Sequence, residues 1–168
     1  MSAGDDVRVV VPVLPAAATV VNDLAFLAPK FAAAVKMAVA ECKALGIEAL
    51  VYETYRTDAL AKAYYARGRT TPGRIVTHAK DNVHSWHGFG LGADIIHATL
   101  RWDAPADWWP RMAAVFKRNR CNWGGDWRSF KDLPHVQWEH CPDSPDDDDR
   151  RLLRESGLLA VWERWGAL

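Results

Sequence analysis

Two short segments hold most of what is unusual in this chain and limit what it can fold into. Ser85–Asp94 reads Ser-Trp-His-Gly-Phe-Gly-Leu-Gly-Ala-Asp, and Trp123–His135 reads Trp-Gly-Gly-Asp-Trp-Arg-Ser-Phe-Lys-Asp-Leu-Pro-His. Glycine at 88, 90 and 92 disfavours a regular helix and lets the backbone come close to a ligand or another chain segment. The first segment therefore reads as a glycine-lined loop that runs into an apolar strand near Ile95 and Ile96. In the second, Trp123-Gly124-Gly125 reads as a turn and His135–Trp138 as a strand that starts after Pro134.

The rest of the sequence supplies a scaffold for these two segments. With 168 residues, 49% of them hydrophobic, one domain with a packed core is expected. A helix is expected from Pro29 to Leu45, because Phe31, Val35, Ala38, Cys42 and Leu45 recur at steps of four and three and Gly46 can end it. Ile47–Tyr52 reads as a strand, and Asp58 as the cap of a short helix ending near Gly68. A further helix is expected from Pro105 to Arg118, with Trp109, Met112, Ala113 and Phe116 on one side. Val7–Ala18, apolar but broken by Pro12 and Pro15, reads as an edge strand or extended arm. The acids Asp146–Asp149 ahead of Arg150 and Arg151 mark a helix start, with Leu152, Leu158, Trp162 and Trp165 as its apolar stripe and Gly157 as a break.

Composition narrows the function classes. Lysine plus arginine and aspartate plus glutamate each number 21, so the formal net charge is +0. That balance speaks against gripping nucleic acid or an anionic membrane through bulk charge. The 3 cysteines, with no CxxC pair, do not make a disulfide scaffold or a cysteine-only zinc site. Met1–Asp6 is acidic where a secretory signal needs cations, and no window approaches the roughly 20 apolar residues of a membrane span. Synthesis in the cytoplasm without a signal peptide is expected.

The chemistry lies in two histidines and two aspartates. His87, Asp94 and His135 make a two-imidazole, one-carboxylate set of the kind that holds catalytic zinc while leaving a position open for water, which the ion acidifies toward neutral pH. Asp132 could then accept and return a proton. Three residues apart on a strand face opposite sides, so Asp132 and His135 can share a site only if Leu133-Pro134 turns the chain. A histidine hydrogen-bonded for structural reasons alone is the competing reading of each imidazole. Gly88–Gly92 lacks the spacing of a nucleotide loop, and neither HExxH nor GxSxG occurs.

Taken together the segments resemble the signature of the zinc peptidases that include D-alanyl-D-alanine carboxypeptidases and dipeptidases and the L-alanyl-D-glutamate endopeptidases of phage lysins. That family's first motif is Ser-x-His-x-x-Gly-x-Ala-x-Asp. Ser85, His87, Gly90 and Asp94 match in register, with Gly92 in place of alanine. The second motif, an acid, two further residues, then histidine, is matched by Asp132-Leu-Pro-His135, and Trp123-Gly124-Gly125-Asp126-Trp127 has the form found in the phage branch. The resemblance runs from about Lys30 to Trp138.

The resemblance implies zinc held by His87, Asp94 and His135, Asp132 as general base and acid, and Arg56 as a catalytic and substrate-binding group for a carboxylate or the scissile carbonyl. Ser85 would hydrogen-bond near the substrate or simply cap its turn. The implied fold is α+β, a small antiparallel sheet carrying the zinc site with helices packed on it (Hedgehog/D-Ala-D-Ala peptidase-like). The expected division is a catalytic domain over 1–141 and a packed helical extension over 142–168. The implied function is cleavage of the bacterial peptidoglycan stem peptide, first as an L-alanyl-D-glutamate endopeptidase of phage or prophage origin. A D-alanyl-D-alanine carboxypeptidase or dipeptidase, and an inactive wall-binding module, are the alternatives. A monomer with no nucleic-acid partner and no stable membrane association is expected, reaching the wall by holin-type release.

Overall fold

A computed structural model describes residues 8–168; the acidic stretch Met1–Asp6 and Val7, where the expected arm begins, lie outside the described residues. From Arg8 to Ala18 the segment forms no strand and bends from Ala17, so the edge-strand reading does not hold. Its two prolines cannot donate to a ladder. It is tied to the domain instead by main-chain carbonyls: Thr57 Oγ1 donates to Ala17 and the Thr54 N–H to Val21.

The first helix, α1 (Pro29–Ala44), starts with proline at a position where a missing N–H costs nothing. It buries Phe31, Ala34, Val35, Ala38 and Cys42, and Gly46 takes up the left-handed conformation just past its end. Strand β1 (Ala49–Glu53) begins two residues later than the sequence suggests, because Ile47 is spent closing the helix end through its N–H to the Cys42 carbonyl. Helix α2 (Asp58–Ala66) is capped by Thr57 rather than Asp58: the Thr57 hydroxyl accepts from the Leu60 N–H at 3.1 Å. Asp58 is the first helical residue, where its charge still favours the helix N-terminus.

Strands β2 (Gly92–His97), β3 (Cys121–Trp123) and β4 (His135–Trp138) complete an antiparallel sheet in the order β1-β2-β4-β3. Strand β2 is buried along its whole length, with Asp94 and His97 buried alongside its apolar residues. Helix α3 (Trp108–Arg118) lies against α1, and the two pack on β1 and β3. The fold is α+β with a small antiparallel sheet, as the sequence predicts.

The last helix, α4 (Asp147–Arg164), opens with a reciprocal capping box: Asp149 N–H donates to the Asp146 carboxylate, and Asp146 N–H to that of Asp149. Gly157, at φ 79°, breaks it. Beyond the break Leu158, Val161 and Trp162 enter the same hydrophobic cluster as Phe31, Phe89 and Ile95. Indole N–H groups pin this segment: Trp162 donates to the Phe89 carbonyl and Trp138 to the Trp165 carbonyl. Cys42, Cys121 and Cys141 are buried free thiols, and burial pushes Cys42 up to about 11 and Cys121 up to about 12. Among the described residues no helix is long and apolar enough to cross a membrane.

Candidate metal centre

The sheet register brings the site together. Asp94 on β2 and His135 on β4 are direct cross-strand partners, so their side chains leave the same face. His87 comes from a 3-10 turn, Trp86–Phe89, that immediately precedes β2. Ser85 caps that turn by accepting from the His87 N–H, at 3.4 Å. Gly90 ends it at φ 65°, with its Cα against the Phe26 carbonyl; a Cβ there would lie 2.5 Å from that oxygen.

Gly88 is constrained more tightly, since a Cβ would sit 2.1 Å from the main-chain carbonyl oxygen of Asn82. Backbone cannot step aside as a side chain can. Gly88→Ala is expected to cost roughly 1–3 kcal/mol through overpacking, and so to lower the melting temperature by roughly 2–12 °C for a chain of this size. Calorimetry or thermal circular dichroism measures it.

Three ligand atoms form a nearly equilateral triangle. His87 Nε2 lies 3.1 Å from Asp94 Oδ1, His135 Nδ1 lies 3.2 Å from His87 Nε2, and His135 Nδ1 lies 3.5 Å from Asp94 Oδ1. Tetrahedral zinc with bonds near 2.0–2.1 Å separates its ligand atoms by roughly 3.3–3.5 Å. The triangle is therefore the size of one face of a zinc tetrahedron, and the donor set suits that ion. The backbone fixes how His87 presents itself. Its Nδ1 lies 2.8 Å from the Thr54 carbonyl, which can only accept, so Nδ1 donates and Nε2 keeps its lone pair. His135 Nε2 lies 3.0 Å from Gln137 Oε1.

Burial works against a charge on Asp94, but the charge of a protonated His87, the hydrogen bonds that His135 and His87 donate when protonated, and the charge of Arg56 outweigh it and hold its carboxyl well below the usual carboxylate range. Arg56 meets Asp94 Oδ2 through Nη2 at 3.2 Å. It also forms a two-pronged pair with Glu53, Nε to Oε1 at 2.6 Å and Nη2 to Oε2 at 3.1 Å, and its guanidinium lies over the Tyr64 ring. Burial opposes its charge, and Glu53 and Asp94 more than restore it. Among the described residues nothing accepts from Nη1.

Of the expected site residues, Arg56, Ser85, His87, Asp132 and His135 line one cleft of about 720 Å³, together with Trp127, and Asp94 joins them through its contacts with Arg56 and His87. The chain does turn between Asp132 and His135, whose N–H bonds back to the Asp132 carbonyl at 3.3 Å. Gly124 makes room for this turn: a Cβ there would lie 2.5 Å from the same Asp132 carbonyl. The Asp132 carboxylate is half-buried and has no hydrogen-bond partner among the described residues. Burial first, then the nearby charge of Asp94, push it up from its ordinary value, against the pull of His135, His87 and Arg56. Burial would lower His135, but its hydrogen bond to Asp94 and the charge of Asp132 raise it.

The remaining aromatic and imidazole groups divide between structure and cleft. Trp86 and Trp138 are core residues, whereas Trp127 tilts against the His135 ring at 5.1 Å between centroids. His84, paired with Asp81, and His78, edge-on to Phe130, line the cleft. His97 binds the N–H groups of Thr99 and Leu100, and His140 is exposed beside Glu139. Reasoning from the sequence missed Glu53, Thr54 and Gln137. Only Gln137 left a signal there, since it lies two residues from His135 on a strand and thus on the same face.

A small antiparallel sheet that presents two imidazoles and a carboxylate at ion-sized separation, with an unpartnered carboxylate in the same cleft, has the donor set of a mononuclear metal-dependent hydrolase. Residues 78–138 match the family model described as D-alanyl-D-alanine carboxypeptidase. The chain is 32% identical over 103 residues to the peptidoglycan L-alanyl-D-glutamate endopeptidase CwlK of Bacillus subtilis, covering 55% of this chain and 61% of that protein. It is 33% identical over 99 residues to the L-alanyl-D-glutamate peptidase of a Listeria phage, covering 56% of this chain and 32% of that protein. The chain thus spans less than two thirds of the length of either relative. The crystal structure of the L-Ala D-Glu endopeptidase ChiX of Serratia marcescens superposes with a TM-score of 0.52 at 20% identity, over 68% of this chain and 82% of that one, and so shares the fold. The family resemblance read from the two motifs holds over the segment that carries the site.

Proposed function

We propose that the chain is a zinc-dependent peptidase that cleaves the stem peptide of bacterial peptidoglycan at the L-alanyl-D-glutamate bond. The observation that carries this reading is the His87–Asp94–His135 triangle with the unpartnered Asp132 carboxylate on the same cleft. The names of the two relatives support the choice of bond.

His87 Nε2, Asp94 Oδ1 and His135 Nδ1 would hold the ion. When bound, zinc supplies Lewis-acid polarisation of the scissile carbonyl and of a water molecule. Asp132 takes the proton of the attacking water and returns it to the departing amine nitrogen of the D-glutamyl residue. Its raised proton affinity suits that exchange, because an acceptor titrating nearer the working pH both takes up and releases a proton readily. Arg56 secures Asp94 Oδ2 and so leaves Oδ1 for the ion. Its remaining donor, Nη1, is the group available to a substrate oxygen and to the negative charge that develops on it. Ser85 fixes the turn that carries His87. Trp127 offers an apolar wall beside His135. The same reading takes 1–141 as the catalytic unit and 142–168 as an extension packed on it, supported by the shared core of α4.

A carboxypeptidase acting on the free D-alanyl end would want a cation for the terminal carboxylate. Arg56 already spends Nε and Nη2 on Glu53 and Asp94, which favours the endopeptidase. Mass spectrometry of fragments released from defined peptidoglycan decides between them. New L-alanyl C-termini and D-glutamyl N-termini are expected; release of free D-alanine, or of nothing, overturns the reading.

A further inference from the structure

Gln137 follows His135 by two residues on β4 and is 1% exposed. Both ends of its amide are committed. Nε2 donates to the Pro142 carbonyl at 2.6 Å and to the Cys141 carbonyl at 3.2 Å. Main-chain carbonyls only accept, so exchanging the amide's oxygen and nitrogen would set oxygen against oxygen twice. Oε1 is therefore the atom that faces His135, 3.0 Å from Nε2. An amide oxygen also only accepts. In the neutral imidazole the proton accordingly resides on Nε2, and the lone pair on Nδ1, which is the atom at the corner of the ligand triangle.

We propose that Gln137 is a positioning residue that selects the Nε2–H tautomer of His135, and that the carbonyls of Cys141 and Pro142 hold it in the one orientation that does so. The junction with the C-terminal segment is then wired into the metal centre. The Pro142 carbonyl also accepts from the Trp86 indole at 2.7 Å, so a single carbonyl supports the neighbours of both histidines. A glutamate at 137 would keep an acceptor for His135 but turn a second oxygen toward two carbonyls. A leucine would keep the volume and remove every polar contact.

The inference rests on His135 being a metal ligand and not on which substrate is cut, so its test needs no hydrolysis. Imidazole nitrogen spectra of the full chain, freed of metal by a chelator and recorded at about pH 9, above the ordinary imidazole range, are expected to show His135 protonated at Nε2. An Nδ1–H ring in the unsubstituted protein overturns the proposal, whatever happens to the variants. In Gln137→Leu the Nδ1–H form is expected to become populated. Zinc affinity, measured by competition with a chromophoric chelator, is expected to fall about ten- to hundredfold, the range for lost outer partners of metal ligands. Gln137→Glu is expected to keep the Nε2–H tautomer and to bind zinc more tightly than Gln137→Leu. Weaker zinc in both variants with an unchanged tautomer marks Gln137 as merely structural and overturns the role. Failure of the unsubstituted chain to bind zinc overturns the metal reading itself and this role with it, and is told apart by an Nε2–H spectrum.

Discussion

Asp132→Asn is expected to reduce release of peptidoglycan fragments by about 10²–10⁴-fold, the usual contribution of a positioned proton-transfer group, while zinc affinity stays within a few-fold of the unsubstituted protein. Asparagine keeps the shape of the side chain and cannot carry the proton. The effect on stability should have the opposite sign. The folded state raises the proton affinity of Asp132, through burial and the charge of Asp94. A raised carboxyl favours folding only below its unfolded value of about 3.9, and that contribution is lost as pH rises through the folded value. At neutral pH the ionised group therefore opposes folding, and the neutral amide relieves the opposition. Metal-free Asp132→Asn should melt no lower than the unsubstituted chain at pH 7. A variant that retains hydrolysis within tenfold would falsify the assignment of the proton carrier, and one that loses zinc as well would make Asp132 a ligand.

The pairing of lost activity with kept stability follows from where Asp132 sits, and that position was readable in part. The sequence shows that Asp132 and His135 need a turn to share a site, and Pro134 supplies one. The motif spacing likewise identifies His87, Asp94 and His135, because a turn ending in a buried strand is a local arrangement. Their convergence was not local: it depends on the β2–β4 register that sets Asp94 opposite His135. The true partner of Arg56 escaped for a similar reason. Glu53 lies three residues upstream, but a register shift between Val51 and Glu53 is what lets it face the same way as Arg56 and Asp94. Thr57 and Asp58 are both good caps by residue type, and only the backbone geometry chooses between them. The apolar stripe of α4, Trp162 included, was legible, but the indole bonds of Trp138 and Trp162 that pin it leave no periodic trace, since each N–H bonds to a carbonyl far away in sequence.

Asp94→Asn tests the same geometry from the side of charge. Asp94 is the triangle's one negative ligand, and its two oxygens do different work: Oδ1 faces both imidazoles and Oδ2 receives Arg56. Asparagine keeps one weak oxygen donor and removes the charge. Zinc affinity should then fall by more than about a hundredfold, beyond the range for outer partners, and hydrolysis at limiting zinc should disappear. The fold should survive, because Arg56 keeps both of its bonds to Glu53. Acid behaviour of the metal-free protein gives an independent reading. Asp94 titrates well below its ordinary value despite its burial, since His87, His135 and Arg56 favour the ionised form. A depressed carboxyl contributes stability above its unfolded value of about 3.9, and that stability is lost as pH falls through the folded value. The unsubstituted chain should therefore lose stability on acidification below about pH 4, and Asp94→Asn should lack that part of the slope. Denaturant titrations at a series of pH values measure it. Identical slopes in the two proteins would mean that the carboxylate gains nothing from its surroundings in the fold.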